Sequence, residues 1–370
     1  MSNAKILVMS TNGILKDGIT SWLVSIFSAM NLEGLEVSTI AFEGAKPSII
    51  EEVEAAGVEV ITLPHRQRNA KAYYREYKRL LADRHFDIIH VCCNSAMAAF
   101  ELVEARKRVV RMRIAHSRNT MCSHRVASFI FNPLFQSSVT DRYACGIDAG
   151  KWLFGNRPFT VIPNGKDLAA YAFSPEDREA SRMELGLLEG EVAFGHVGGF
   201  NEQKNHGKLI EVFAELYRRN PSRRLFLIGE GRLMPEVEEK AGALGLDGAV
   251  RFLGRRDDVP RLLNAMDCMV FPSLYEGFPN VVLEWQLNGL PVVMSGAITD
   301  ECAITPLVSQ VALAASPAAW ADAAERAMEG RNRVSDSCAS REAAKAAGYD
   351  ISENAAMLRR LYFEGVERCG

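Results

Sequence analysis

The sequence predicts two α/β domains in succession, each built on a doubly wound parallel sheet. Short apolar runs alternate with longer amphipathic stretches along the whole chain, the pattern of strands covered by helices on both faces. The alternation completes two sets, divided at "VIPNG", Val161–Gly165, where a strand ends in Pro, Asn and Gly. A length of 370 residues is long for one core and comfortable for two.

In the first set, strands are expected at Lys5–Met9, Glu36–Phe42, Val58–Leu63, Ile88–Cys92, Arg111–Ala115, Arg142–Cys145 and Thr160–Ile162. Helical patterns fall between them, among them Ser21–Met30, Ile49–Ala56 and Ala72–Asp83. The second set places strands at Ala193–Val197, Arg224–Ile228, Val250–Phe252, Cys268–Phe271, Pro291–Met294 and Val311–Ala314. Its helices are expected at Lys208–Arg219, Met234–Leu244, Val259–Ala265, Pro279–Asn288 and Pro317–Met328. The domains are therefore read as 1–165 and 166–350, with a terminal helix, Ser352–Arg368, free to pack back on the first. Open parallel sheets bind ligands at the carboxyl ends of their strands, so the strand-to-helix loops are where function is sought.

Composition bounds the class. With 48% hydrophobic and 24% charged residues and a mean hydropathy of −0.04, the chain reads as soluble and globular. No apolar run is long enough to span a bilayer, and "MSNAKILVMS" reads as a strand rather than a signal peptide. The eight cysteines lack zinc or disulfide-framework spacing and are expected to be reduced, as in the cytoplasm. The net charge of −3 hides an asymmetry: residues 1–165 carry 20 Lys/Arg against 15 Asp/Glu, and the remainder 23 against 31.

The stretch "YEGFPNVVLEWQLNGLPVVMSG", Tyr275–Gly296, carries the most chemistry. Between two apolar strands, Glu276-Gly277-Phe278-Pro279-Asn280 reads as a ligand-facing loop opening a helix. The free N–H groups of such a helix's first turn form an anion site, and proline suits that turn. Glu276 at the strand's end and Glu284 just past the first turn can face the two ends of one ligand. A polyhydroxylated, phosphate-linked molecule has that demand. Residue types alone leave open the alternative of a solvated loop carboxylate and a helix-dipole carboxylate.

Here the chain resembles the retaining glycosyltransferases of family 4. Glu276 and Glu284 in "EGFPNVVLE" match that family's paired-glutamate signature. "RIAHSRNT" (Arg113–Thr120), "VIPNGKDL" (Val161–Leu168), "GEGRLMPEVEEKAGALGL" (Gly229–Leu246) and "VRFLGRRDDVPRLLNAMD" (Val250–Asp267) follow in family order. The likeness is greatest to the branch that assembles capsular and exopolysaccharides. It implies the GT-B fold, two facing Rossmann-like domains with a cleft between them.

The resemblance also implies roles. Glu276 would contact hydroxyls of the transferred sugar and Glu284 the ribose of the nucleotide. The backbone of Gly277, Phe278, Pro279 and Asn280 would line the sugar and diphosphate. Lys204, in "NEQKNH", would bind the diphosphate, and His116, at a strand end in "HSRN", would lie near the donor sugar. Asn12 and Gly13, in "STNGILKDGIT", would border phosphate and acceptor. One departure stands out: "VGGF", Val197–Phe200, places Gly199 where the family carries an arginine. Either another cation compensates, with Arg255 and Arg256 as the candidates, or activity is weak. No metal or other cofactor is expected, since lysine and helix N–H groups suffice for the diphosphate.

The basic segment His65–His85 holds seven Lys/Arg and two acids, with Tyr73, Tyr77, Leu80 and Leu81 at helical spacing. It reads either as a helix docked on its own sheet or as a contact with anionic membrane. Nucleic-acid binding is disfavoured by the acidic whole and the lack of a motif. The expected function is transfer of a hexose-type sugar, with retained configuration, from a nucleotide-sugar donor to a growing, lipid-linked glycan at the inner face of the membrane. A nucleotide-sugar epimerase and a catalytically weak donor-binding subunit are the alternatives.

Overall fold

The computed structural model describes residues 3–120, 122 and 124–368; Cys369 lies outside them. The chain forms two compact units, one of residues up to Lys166 and from Gly348 onward, the other Asp167–Ala347.

The first unit holds a parallel sheet of β1 (Ala4–Ser10), β2 (Leu35–Phe42), β3 (Glu59–Leu63), β4 (Ile88–Cys93), β5 (Met112–Ser117), β6 (Asp141–Ala144) and β7 (Thr160–Val161), in the order β3-β2-β1-β4-β5-β6-β7. Successive residues of a strand point to opposite faces, so a strand covered on both sides must be apolar throughout. In β1, Ile6 and Val8 enter one core with Trp22, Ile26 and Phe27. Leu7 and Met9 enter the other with Tyr73, Tyr77 and Leu81. The helix Ala70–Arg84 thus spends its apolar stripe on its own sheet, and Arg75 and Arg79 both pair with Glu76. Arg66, from the same basic segment, turns inward to the fully buried Glu101 at 2.7 Å.

The second unit repeats the design with β8 (Val192–Val197), β9 (Arg223–Ile228), β10 (Val250–Phe252), β11 (Cys268–Phe271), β12 (Val292–Ser295) and β13 (Val308–Val311), ordered β10-β9-β8-β11-β12-β13. In β11, Cys268 and Val270 face one core and Met269 and Phe271 the other. The last strand lies earlier than the apolar run Val311–Ala314 suggests. As an edge strand, half-buried in Val308, Ser309 and Val311 with Gln310 exposed, it is fixed by its pairing with β12 rather than by hydrophobicity.

The terminal helix, Ile351–Arg368, belongs to the first unit: Ala355, Leu358 and Tyr362 are fully buried in its core. It lies so close to β5 that a Cβ on Gly365 would meet Met112 Sδ at 2.3 Å. The chain leaves and re-enters this unit side by side, with Lys166 N–H donating to Tyr349 O and Ile351 N–H to Lys166 O. Burial keeps the strand thiols unreactive, pushing Cys92 up to about 12. Leu358→Ala should therefore destabilise the first unit, far from any loop, by about 2–5 kcal/mol, the usual result of emptying a leucine site. Urea denaturation followed by circular dichroism checks this, and a loss under about 1 kcal/mol would mean that the helix is only loosely held.

Candidate active site

Strand order reverses direction between β8 and β11, so the loops after these strands flank the point where open parallel sheets bind ligands. Four contacts bind the two loops together. Leu274 N–H donates to Gln203 O at 2.8 Å, Gln203 Nε2 to Tyr275 O at 3.0 Å and Asn205 Nδ2 to Pro272 O at 3.1 Å. The fourth is ionic: Lys204 Nζ lies 2.8 Å from Glu276 Oε1, with side-chain exposures of only 16% and 9%. The ammonium also sits 4.7 Å from the centre of the Phe271 ring, whose quadrupole favours a cation.

Two helices begin here, His206–Arg219 and Asn280–Leu287, and neither receives a side-chain cap. Their first-turn N–H groups are thus free of the competition that Asp17 supplies in the first unit, where it accepts from Ile19 and Thr20 N–H. Pro279, the expected first residue of the helix, stands instead at the cap position, one residue before the helix starts, while Phe278 packs on the core and Asn280 Oδ1 is buried without a partner. Glu284 is buried and takes a hydrogen bond from the Tyr171 hydroxyl, whose pKa rises through burial and this carboxylate.

Gly199 lies on the same loop as Lys204, against the turn after β9. A Cβ there would meet Glu230 O at 3.5 Å, an ordinary contact, so the backbone has room for a side chain. Gly229 and Gly231 allow this approach, since a Cβ on Gly229 would strike Gly198 O at 2.1 Å. Of the expected substitute cations, Arg256 is committed to Asp258 and Glu184. Arg255 pairs loosely with Asp257 at 3.6 Å, on the loop of β10, two strands from β8. Arg232 follows the abutting glycine turn directly and pairs with Glu202, two residues before Lys204.

Beneath the loop lie two buried histidines. His196 pairs its Nδ1 with Val270 O at 2.9 Å, which fixes the proton on Nδ1 and leaves Nε2 an unpartnered acceptor. His206 stacks on Phe200 with 4.1 Å between ring centres, and neither of its nitrogens has a partner. Burial, with the charge of Lys204 nearby, pushes His206 down to about 4. Burial, and His206 beside it, holds His196 well below its usual value.

The remaining candidates sit in the first unit. Asn12 is exposed after β1, and Gly13 turns with φ +71°, its N–H donating to Ser10 O. His116 is fully buried on β5. Its Nε2 lies 3.3 Å from Arg118, its Nδ1 3.0 Å from His90 Nε2, and His90 Nδ1 2.7 Å from Tyr362 Oη. A guanidinium only donates, so one proton order fits: Arg118 to His116, His116 to His90, His90 to Tyr362. Both rings are then neutral. Burial, aided by Arg118, agrees, taking His90 to about 3 and His116 well below its ordinary value. The Cys92 thiol also lies within 4.8 Å of these ring nitrogens, but the two facing nitrogens are spent on each other.

Arg118 further donates to Asn164 Oδ1 at 2.7 Å and lies 4.3 Å from the centre of the Trp22 ring. Neither Arg118, Asn164 nor Tyr171 follows from residue type. The first two do lie inside the quoted stretches "RIAHSRNT" and "VIPNG", which is the signal that could have found them.

Residues 191–330, which hold both loops, match the family model of Glycosyl transferases group 1. The chain carries a group 1 glycosyltransferase domain. The chain is 27% identical to EpsF of Bacillus subtilis, itself named as a glycosyltransferase, over 99% of this chain and 98% of that one. It is 32% identical to the UDP-Gal:alpha-D-GlcNAc-diphosphoundecaprenol alpha-1,3-galactosyltransferase of Escherichia coli, over 39% of this chain and 38% of the relative. Among solved structures, HepE of Anabaena in complex with UDP and glucose matches with TM-score 0.79 at 19% identity, covering 98% of this chain and 100% of that one. A protein from Listeria monocytogenes assigned as a UDP-N-acetylglucosamine 2-epimerase matches with TM-score 0.67 at 14% identity, over 100% and 98%. The fold is of the GT-B type.

The buried neutral histidines set a pH dependence. An unfolded histidine protonates near 6.5, whereas His206 in the fold resists protonation down to about 4. Below pH 6 the unfolded state binds more protons, so stability falls as pH falls, by about 1.4 kcal/mol per pH unit for each such histidine. His206→Gln should remove one proton's share of that slope in denaturant unfolding measured between pH 6 and pH 4.5. An unchanged slope would show that His206 titrates normally in the fold.

Proposed function

We propose that this glycosyltransferase moves a hexose-type sugar, with retained configuration, from a nucleoside diphosphate sugar to a growing, lipid-linked glycan in capsular or exopolysaccharide assembly. The Lys204–Glu276 ion pair at the strand-order reversal carries the reading. When the glycosidic bond breaks, negative charge grows on the departing diphosphate, and fixed donors aimed at it are the main lever on rate. Lys204 and the uncapped turns at His206 and Asn280 are such donors. Glu276, on the same spot, accepts hydrogen bonds from sugar hydroxyls. Glu284 accepts from the ribose, held in place by Tyr171. Arrival of the donor exchanges the partners of the ion pair: phosphate replaces carboxylate at Lys204, and hydroxyls replace ammonium at Glu276.

This division needs no metal, because the lysine and amides supply the positive potential. Arg232 adds the cation that Gly199 lacks, since its loop abuts Gly199 and its partner Glu202 lies on the lysine loop. His116 reaches a sugar only if Arg118 releases its Nε2. The lipid-linked acceptor draws support from the diphosphoundecaprenol in the name of the Escherichia coli relative, and the donor class from the UDP and glucose held by HepE. A second reading, epimerisation of a nucleotide sugar, is favoured by the likeness to the Listeria protein, and a free epimeric sugar nucleotide as product would establish it. If donor binds but is neither transferred nor hydrolysed, the chain is a donor-binding subunit.

Glu276→Gln should lower turnover by roughly 10²-fold or more while UDP affinity, read by calorimetry, stays within about twofold. Glu284→Gln and Arg232→Gln should instead weaken UDP binding, about tenfold for the former, the result of losing a hydrogen bond to a charged group. Near wild-type turnover in the Glu276 variant would remove that residue from the sugar site, and unchanged UDP affinity in the Arg232 variant would remove the substitute cation.

A further inference from the structure

The helix Arg125–Ser138 presents to solvent what other helices of the first unit bury. Phe129 is 82% exposed, Val126 76%, Ile130 64% and Leu134 39%. Their spacing sets them on one face. The neighbouring helix Ile147–Phe154 adds Ile147 and Trp152, at 53% and 37%. Contiguous exposed aliphatic and aromatic side chains mark an interaction surface.

Charge selects the partner. From Ala105 to Thr140 the chain carries seven Lys/Arg and no Asp or Glu. Arg125 lies 5.4 Å from the centre of the Trp152 ring at one end of the face, and Arg106 bonds to Ser137 at the other. Two copies of such a face would oppose its cations with Asp148, on the neighbouring helix, as the one carboxylate of the two helices to pair them, which disfavours self-association. Apolar side chains between cations match the boundary of a bilayer with anionic headgroups, where the apolar part enters the acyl region and the cations remain among phosphates.

We propose that this face, and not the basic helix Ala70–Arg84, seats the protein on an anionic bilayer. The Ala70–Arg84 helix has its apolar stripe in the core and its cations partly neutralised by Glu76, so it offers nothing to insert. The proposal does not rest on the transfer reaction, and the two can fail separately.

The test is flotation of the full chain with phosphatidylcholine vesicles, with and without phosphatidylglycerol, at low and high salt. Wild type should bind the anionic vesicles preferentially and lose part of that binding at high salt. Phe129→Ser with Ile130→Ser should lower partitioning at least about tenfold, the ratio expected from losing even one such side chain from an apolar site. The thermal midpoint should not change, because both residues are exposed. Arg75, Lys78 and Arg79 changed to Gln should bind as wild type does. Undiminished binding by the serine variant, equal binding to both lipids, or a wild-type dimer that the serine variant abolishes would each overturn the proposal.

Discussion

The ion pair between Lys204 and Glu276 fixes the relation of the two loops on which the second unit's chemistry depends. Both charges are largely withdrawn from water, so each requires the other or a ligand that can take its place. Three hydrogen bonds between the same loops make that placement rigid before any ligand arrives. A site that holds a cation and a carboxylate within hydrogen-bond reach suits a molecule with an anion at one point and hydroxyl donors beside it. A diphosphate sugar is such a molecule.

The first unit achieves a comparable fixation without an ion pair. Arg118 is placed by Asn164, by the Trp22 face and by a chain of two neutral imidazoles that ends at Tyr362. Because Tyr362 belongs to the terminal helix, the segment that returns to this unit supplies both core packing and the last link of a polar chain reaching the strand ends. Deprotonated histidines are part of the design in both units: a second positive charge beside Arg118 or Lys204 would oppose the first.

How much was legible follows from what the residues encode. Strands covered on both faces must be apolar, so Cys268–Phe271 stands where its run does. Val308–Val311 was displaced because an edge strand is set by backbone pairing. Glu276 and Glu284 were legible because strand, loop and helix follow one another locally. Tyr171, Arg118 and the Lys204–Glu276 contact were not, since each joins segments distant in sequence that only the sheet order brings together. The role of the helix Arg125–Ser138 is hidden for another reason: its apolar residues face outward, and periodicity does not tell a core face from a docking face. The segment His65–His85 misled in the opposite sense, its charges drawing attention from a stripe that is buried.

The most direct test of the central claim is hydrogen–deuterium exchange of the full chain with and without UDP. Exchange should slow in the amides of residues 199–206 and 277–284 together, since phosphate would occupy the donors that these loops leave open. Protection confined to the loop between Ser10 and Gly18, with both segments of the second unit exchanging as before, would contradict it.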